Sequence, residues 1–151
     1  MTAEIRIQQE DFDLSGEIRR LTEGRADVGG VVSFTGYCRD EGGALSALEL
    51  EHYPGMAEEE IARICTEAEE RWALKGLTVI HRYGKILPGE QIVLVVAAST
   101  HRRAAFEAAE FVMDFLKSRA PFWKKEHDVD GNEGSWVSAR DEDEAALDRW
   151  D

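Results

Sequence analysis

Residues 92–98, IVLVVAA, set seven apolar side chains in a row with no polar position among them. A strand with one wet face alternates. A run without alternation reads as a central strand buried on both faces. Two segments have the spacing needed to cover such a strand. Ala57, Ile61, Ile64, Cys65, Ala68 and Trp72 recur every three or four residues, as do Phe106, Ala109, Met113 and Leu116. Both segments are predicted to be amphipathic helices, over 57–72 and 101–119. Glu58, Glu59 and Glu60 fill the first turn of the earlier one, where the helix dipole favours carboxylates, and Gly76 is expected to end it. Ser99 or Thr100 is expected to cap the later one, and Ala120-Pro121 to stop it.

The remaining segments are short. Residues 4–8 alternate like a strand, 14–22 suit a short helix ended by Gly24, and 31–35 are β-branched and aromatic. Residues 47–53 alternate as a half-buried strand, broken by Pro54-Gly55. Residues 77–81 read as a strand, 122–126 as a strand or extended loop, 128–134 as a polar loop, and 136–138 as a short strand. Residues 141–150 form an acidic terminal helix or tail. Strands and helices do not alternate strictly, and several strands adjoin. This predicts an α+β fold with a mixed, mostly antiparallel sheet and flanking helices. With 151 residues, one domain over 1–151 is expected.

No apolar run approaches the roughly 18–20 residues that a membrane-spanning helix needs. The N-terminus shows no basic region followed by an apolar stretch, so a cytoplasmic protein is expected. The net charge of −13 argues against nucleic acid, whose phosphates are bound by Lys and Arg. The charge is uneven, however. Residues 101–125 hold six cations (Arg102, Arg103, Lys117, Arg119, Lys124, Lys125) against three acids (Glu107, Glu110, Asp114). A cationic segment in an acidic chain suits a small anion.

Within it, His101 and Arg102 occupy a helix start, where cations are disfavoured by about 0.3–1 kcal/mol each. The arrangement makes sense if an anion binds, because free N–H groups, a guanidinium and an imidazole can then converge on it. Lys117 lies in the last turn of the same helix, where a cation is electrostatically welcome. Lys124 and Lys125 follow the bulky pair Phe122-Trp123. A lysine held against apolar surface and beside a second ammonium gives up its proton more readily, which frees a nucleophilic or basic amine. Arg39 follows a strand end and a glycine, which suits a loop-borne functional residue and a surface arginine equally well. Cys65 falls on an apolar helix face and reads as a buried small hydrophobe. Cys38 follows a glycine-containing turn, nearer to a site, with no adjacent His to activate it. His81 and Arg82 read as structural or interfacial, and the scattered Trp residues as core or interface. His52, His81, His101 and His127 have neither the spacing nor the Cys partners of a metal site. There is no Walker loop, GxGxxG or nucleophile elbow.

Taken together, these segments resemble the molybdopterin synthase catalytic (large) subunit family over essentially the whole chain. The resemblance rests on VVSFTG (31–36) leading to Arg39, LELEHYPGM (48–56), VIHRYG (79–84), Pro88-Gly89-Glu90, His101-Arg102 with Ala105-Phe106-Glu107-Ala108, LKSRAPFWKKE (116–126), Trp136-Val137 and Arg149-Trp150. The LKxRAPFWKKE run is the most specific of them. The resemblance implies an α/β hammerhead-type fold and a homodimer within a heterotetramer. Each end would bind a small ubiquitin-like sulfur carrier whose C-terminal Gly-Gly carries a thiocarboxylate. Sulfur would pass twice to cyclic pyranopterin monophosphate, forming the dithiolene of molybdopterin, with no metal or cofactor in the subunit itself. It further implies that Lys117 and Lys124 are the active-site lysines and that His101 and Arg102 bind substrate. Arg39 would be the loop arginine, with Lys125 and Glu126 on the same binding stretch. Tyr37 and Cys38 stand in that region where family members commonly carry Lys-Val, and loop 40–44 is slightly short, which would alter the pocket rim. Two other readings are a non-catalytic adaptor for a ubiquitin-like carrier and a different small-anion enzyme on the same fold.

Overall fold

The double-faced burial expected of residues 92–98 is realised in a computed structural model that describes residues 3–40, 42–43, 45–130, 133–137, 141–148 and 150. The elements run β1 (Glu4–Gln8), α1 (Leu14–Thr22), β2 (Gly30–Tyr37), β3 (Leu45–His52), α2 (Met56–Arg71), β4 (Leu74–Arg82), β5 (Gly84–Ile86), β6 (Gln91–Ser99), α3 (Arg102–Ser118), β7 (Phe122–Asp128), β8 (Glu133–Val137) and α4 (Asp141–Asp148). The strands form two four-stranded sheets, ordered β1-β4-β6-β2 and β5-β3-β7-β8. β1 and β4 are parallel, and the other described pairs are antiparallel.

β6 lies inside the first sheet, and Val93 to Ser99 are all buried. Its side chains divide by parity, as strand geometry requires. Val93, Val95 and Ala97 join Leu77 and Val79 of β4 beneath Ile61 and Ile64 of α2 and Ala108, Val112 and Phe115 of α3. Leu94 and Val96 join Ile80 on the other face, against Phe12 and the α1 side chains Leu14, Ile18 and Leu21. Glu17 of α1 is the exception to a charged outer face: it is buried against the Arg6 guanidinium. A third cluster, Cys38, Leu48, Leu50 and Ile86, underlies the second sheet. The sheets are joined where β4 ends: only Tyr83 separates it from β5, and Gly84 takes φ 88°. That left-handed conformation suits glycine and turns the chain out of one sheet into the other.

Three local expectations are corrected. Gly76 does not end α2, which stops at Arg71. It is buried within β4, where an added Cβ would stand 2.7 Å from Leu21 Cδ2, so the glycine makes room for α1. Neither Ser99 nor Thr100 caps α3. His101 is the cap residue, in extended conformation and without a side-chain cap bond. The Ser99 hydroxyl donates to the Ala73 carbonyl and that of Thr100 to the Asp27 carbonyl. Finally, β7 runs on to Asp128 and β8 begins at Glu133, so much of the expected polar loop is a hairpin. Within loop 40–44, positions 41 and 44 lie outside the described residues, as does Arg149.

Candidate active site

The last cation of α3 is exposed at the C-terminal end of the helix, beside a group of rings. Lys117 sits in the last turn. The helix then closes with the Arg119 and Ala120 amides both donating to the Phe115 carbonyl. Pro121 prevents continuation, and the Phe122 amide donates to the Ala120 carbonyl as β7 begins. Phe122 pairs across the sheet with His52 and stacks on His81, with centroids 3.8 Å apart and planes 12° from parallel. The His52 ring lies 5.9 Å from Phe122 and 4.5 Å from Tyr83. Tyr83, His52, Phe122 and His81 therefore form one aromatic group where β3, β4 and β7 meet.

His81 is 7% exposed. Burial pushes its imidazole down to about 4. A hydrogen bond between Nδ1 and the Arg82 carbonyl (2.8 Å) opposes that, while the nearby His52 and the Lys117 charge add to it. The ring is neutral at neutral pH. Because a carbonyl can only accept, Nδ1 carries the proton and Nε2 keeps the lone pair. Arg82, also buried, donates to the carbonyls of Gln9 and Gln91 and fixes the end of β4.

Lys124 lies two residues beyond Phe122, on the same face and about 7 Å further along the strand. It is half-buried and directly across from Leu50. Below is Cys38, 3% exposed, its Sγ 3.9 Å from the Ile86 carbonyl oxygen. Burial pushes this thiol up. Glu90, Asp40 and Glu126 push the same way, and Lys124 opposes them. Cys38 is thus a neutral wall residue beside the lysine. Its neighbour Tyr37 points outward, 57% exposed. Exposed Arg39 follows, tethered to the 87–90 turn by two backbone bonds, from the Cys38 amide to the Glu90 carbonyl and from the Gly89 amide to the Cys38 carbonyl. Glu126 shares the Lys124 face, across from Leu48. Lys125 points to the opposite face, across from Glu49, so it does not share the floor with Lys124.

His101 and Arg102 are elsewhere. They start α3, both exposed, in a first turn that contains no acid. Arg102 packs against the first residue of β2: an added Cβ on Gly30 would lie 3.6 Å from its Cα. From Arg102 to Lys117 the helix rises about 22 Å, and from Gly30 to Tyr37 strand β2 spans about 23 Å before Cys38 and Arg39 follow. The expectation that Arg39, His101 and Arg102 grip one phosphate therefore fails within a single chain. Lys117, Lys124 and the Arg39 loop gather at one end, and His101 with Arg102 stands at the other. Sequence reading also missed the ring floor, although a signal was present. The inward alternation Leu48-Leu50 ends on His52, and Leu77-Val79 ends on His81. An imidazole at the last inward position of two buried strands marks a polar boundary to the core.

Comparison with known proteins identifies the family of this chain. The family model described as MoaE protein matches residues 7–119. A Mesorhizobium japonicum protein named molybdopterin synthase catalytic subunit is 73% identical over 146 residues, which is 97% of this chain and 92% of the relative. The solved structure of the molybdopterin biosynthesis MoaE protein from Burkholderia ambifaria superposes with a TM-score of 0.85 at 47% identity, covering 99% of this chain and 98% of that one. Molybdopterin synthase from Staphylococcus aureus gives a TM-score of 0.78 at 32% identity, covering 90% and 96%. With the family model matching residues 7–119 and a 73% identical relative covering 97% of the chain, the chain belongs to the MoaE protein family.

Proposed function

We propose that this protein is the catalytic subunit of a molybdopterin synthase, an enzyme of molybdenum cofactor biosynthesis that transfers sulfur to a pterin. The observation that carries the assignment to this site is that the end of α3 and the start of β7 set Lys117 and Lys124 on either side of Phe122, one on a helix end and one on a strand. The substrate is cyclic pyranopterin monophosphate. The sulfur donor is the thiocarboxylated Gly-Gly tail of a small ubiquitin-like carrier, which enters beside these lysines. Lys117 acts as the reacting amine, as general acid and base or as a transient partner of the carrier's terminal carbonyl. Lys124 supports it with charge as sulfur attacks and the phosphate ring opens. Arg39 holds substrate at the rim. Bringing tail and pterin together in one pocket supplies much of the rate by proximity.

His101 and Arg102 join this site through symmetry. In a homodimer, the α3 start of a second copy brings its own imidazole and guanidinium to the lysine end of the first, which reconciles their phosphate role with their separation within one chain. A cytoplasmic location goes with this assignment. Among the described residues no helix is long and apolar enough to cross a membrane. The test mixes the protein with thiocarboxylated carrier and cyclic pyranopterin monophosphate and follows the pterin by mass spectrometry. A product carrying two sulfurs is expected. Carrier binding with unchanged pterin would favour an adaptor instead.

A further inference from the structure

His81 is absent from the roles assigned above, yet it lies closer to the chemistry than a structural histidine needs to. Three features set it apart. It continues the inward parity of Leu77 and Val79, which places it on the sheet face covered by α3. Its ring is clamped between two fixed partners, Phe122 stacked at 3.8 Å and the Arg82 carbonyl 2.8 Å from Nδ1. Lys117 precedes Phe122, the residue stacked on His81, by five positions across the tight reversal that closes α3, and its charge disfavours protonation of the ring. The clamp settles the tautomer, so the single lone pair left on the ring is at Nε2, and no hydrogen-bond partner takes it among the described residues. Lys117 is exposed on a long flexible stem.

We propose that His81 is a positioning residue for Lys117: its Nε2 accepts a hydrogen bond from the Lys117 amine when that side chain turns inward over Phe122 to meet substrate. The inference rests on Lys117 being the reacting amine. A neutral acceptor suits the task better than a carboxylate. It orients one N–H and leaves the other positions of the amine free, without adding an anion next to an anionic substrate. Rigidity matters as well. A ring held by stacking and by its own Nδ1–H offers its lone pair in one direction, and fixing a reacting group in this way lowers the barrier. His52, whose Nδ1 is buried without a partner, flanks the same floor. It lies beyond Phe122 and cannot replace the Nε2 contact.

The two amide replacements of histidine separate this role from a structural one. Glutamine places its amide near the position of Nε2, and asparagine near that of Nδ1. If Nε2 positions Lys117, His81→Gln keeps kcat within about threefold of wild type. His81→Asn loses at least about tenfold in kcat, with pterin KM and carrier affinity unchanged. If the histidine only braces Arg82, the order reverses. That reversal, equal loss in both variants, or a loss confined to KM would overturn the proposal. Should either variant fail to fold, 15N NMR of the imidazoles gives a second test on chains without a change at 81. With the carrier's C-terminal peptide bound, the His81 Nε2 resonance should move between the wild type and Lys117→Met, and an unmoved resonance refutes the contact. This readout needs no turnover, so it stands apart from a failure of the catalytic assignment, which would appear as full activity in Lys117→Ala.

Discussion

Replacing His81 should change how the protein responds to acid, by an amount that its burial sets. In the unfolded chain this imidazole titrates near its ordinary value of about 6.5. In the folded protein, burial holds it down to about 4. The unfolded state therefore binds the proton first as pH falls, and this destabilises the fold. The His81 contribution to stability is fully present above about pH 6.5, declines as pH falls toward 4, and is constant below. Each factor of ten in proton affinity is worth about 1.4 kcal/mol, so the full effect is about 3 kcal/mol, of which about 2.5 has developed by pH 4.5. Other histidines and carboxylates also titrate in this window, so the wild-type curve alone cannot isolate it. The His81→Gln variant removes the titrating group and keeps an amide in its place. Urea unfolding at about pH 7 and about pH 4.5 should show the wild type losing about 2–3 kcal/mol more than the variant over the interval. Any constant cost of the substitution cancels in that difference. If the two stability curves ran parallel, His81 would be titrating normally, and the buried, neutral ring on which the site description depends would be wrong.

Three other outcomes follow from the structure. Lys117→Ala should cut product formation by about 100-fold or more, in the range expected for loss of an acid–base group, while carrier binding measured by calorimetry persists. Co-expressed Lys117→Ala and Arg102→Ala chains should recover about a quarter of wild-type turnover. Half the dimers formed are mixed, and each mixed dimer holds one intact site out of two if those residues meet across a two-fold interface. Activity no higher than that of either variant alone would show that the residues do not share a site. Gly76→Ala should cost about 1–3 kcal/mol in urea unfolding through its clash with Leu21. The double change Gly76→Ala/Leu21→Ala should lose less than the sum of its parts by about 1 kcal/mol; strict additivity would remove the packing argument.

The layout of the fold was largely legible in the sequence because burial dictates pattern. The unbroken apolar run at 92–98 is a doubly covered strand and the 3.6-residue repeats on either side are its covers, except that Phe106, expected on the buried stripe of α3, is 59% exposed. What escaped was set by distant partners. The three-residue strand β5 is too short to carry a period, and Gly76 mimicked a helix stop although its purpose is to accommodate Leu21, 55 positions earlier. The site was half legible. Lys124 stood out beside a bulky aromatic pair, whereas Lys117 is ordinary at a helix C-terminus and entered only through the family resemblance. His81 did not stand out, because its role depends on stacking with a residue 41 positions away. That His101 and Arg102 stand far from Arg39 within one chain was not legible for a different reason: chemical suitability for one anion says nothing about how far apart a rigid helix and strand hold the groups.

That rigidity has an evolutionary side. In the reaction proposed above, helix α3 carries one substrate-binding pair at its start and the reacting lysine at its end, so its length works as a ruler and its winding as a phase. One inserted residue would lengthen it by only about 1.5 Å but swing Lys117 by about 100° around the axis, off the ring floor. The outward face of the helix is free to drift, whereas the number of residues between Arg102 and Lys117 is not. Insertions and deletions should therefore be tolerated in the connecting loops and purged from this one segment.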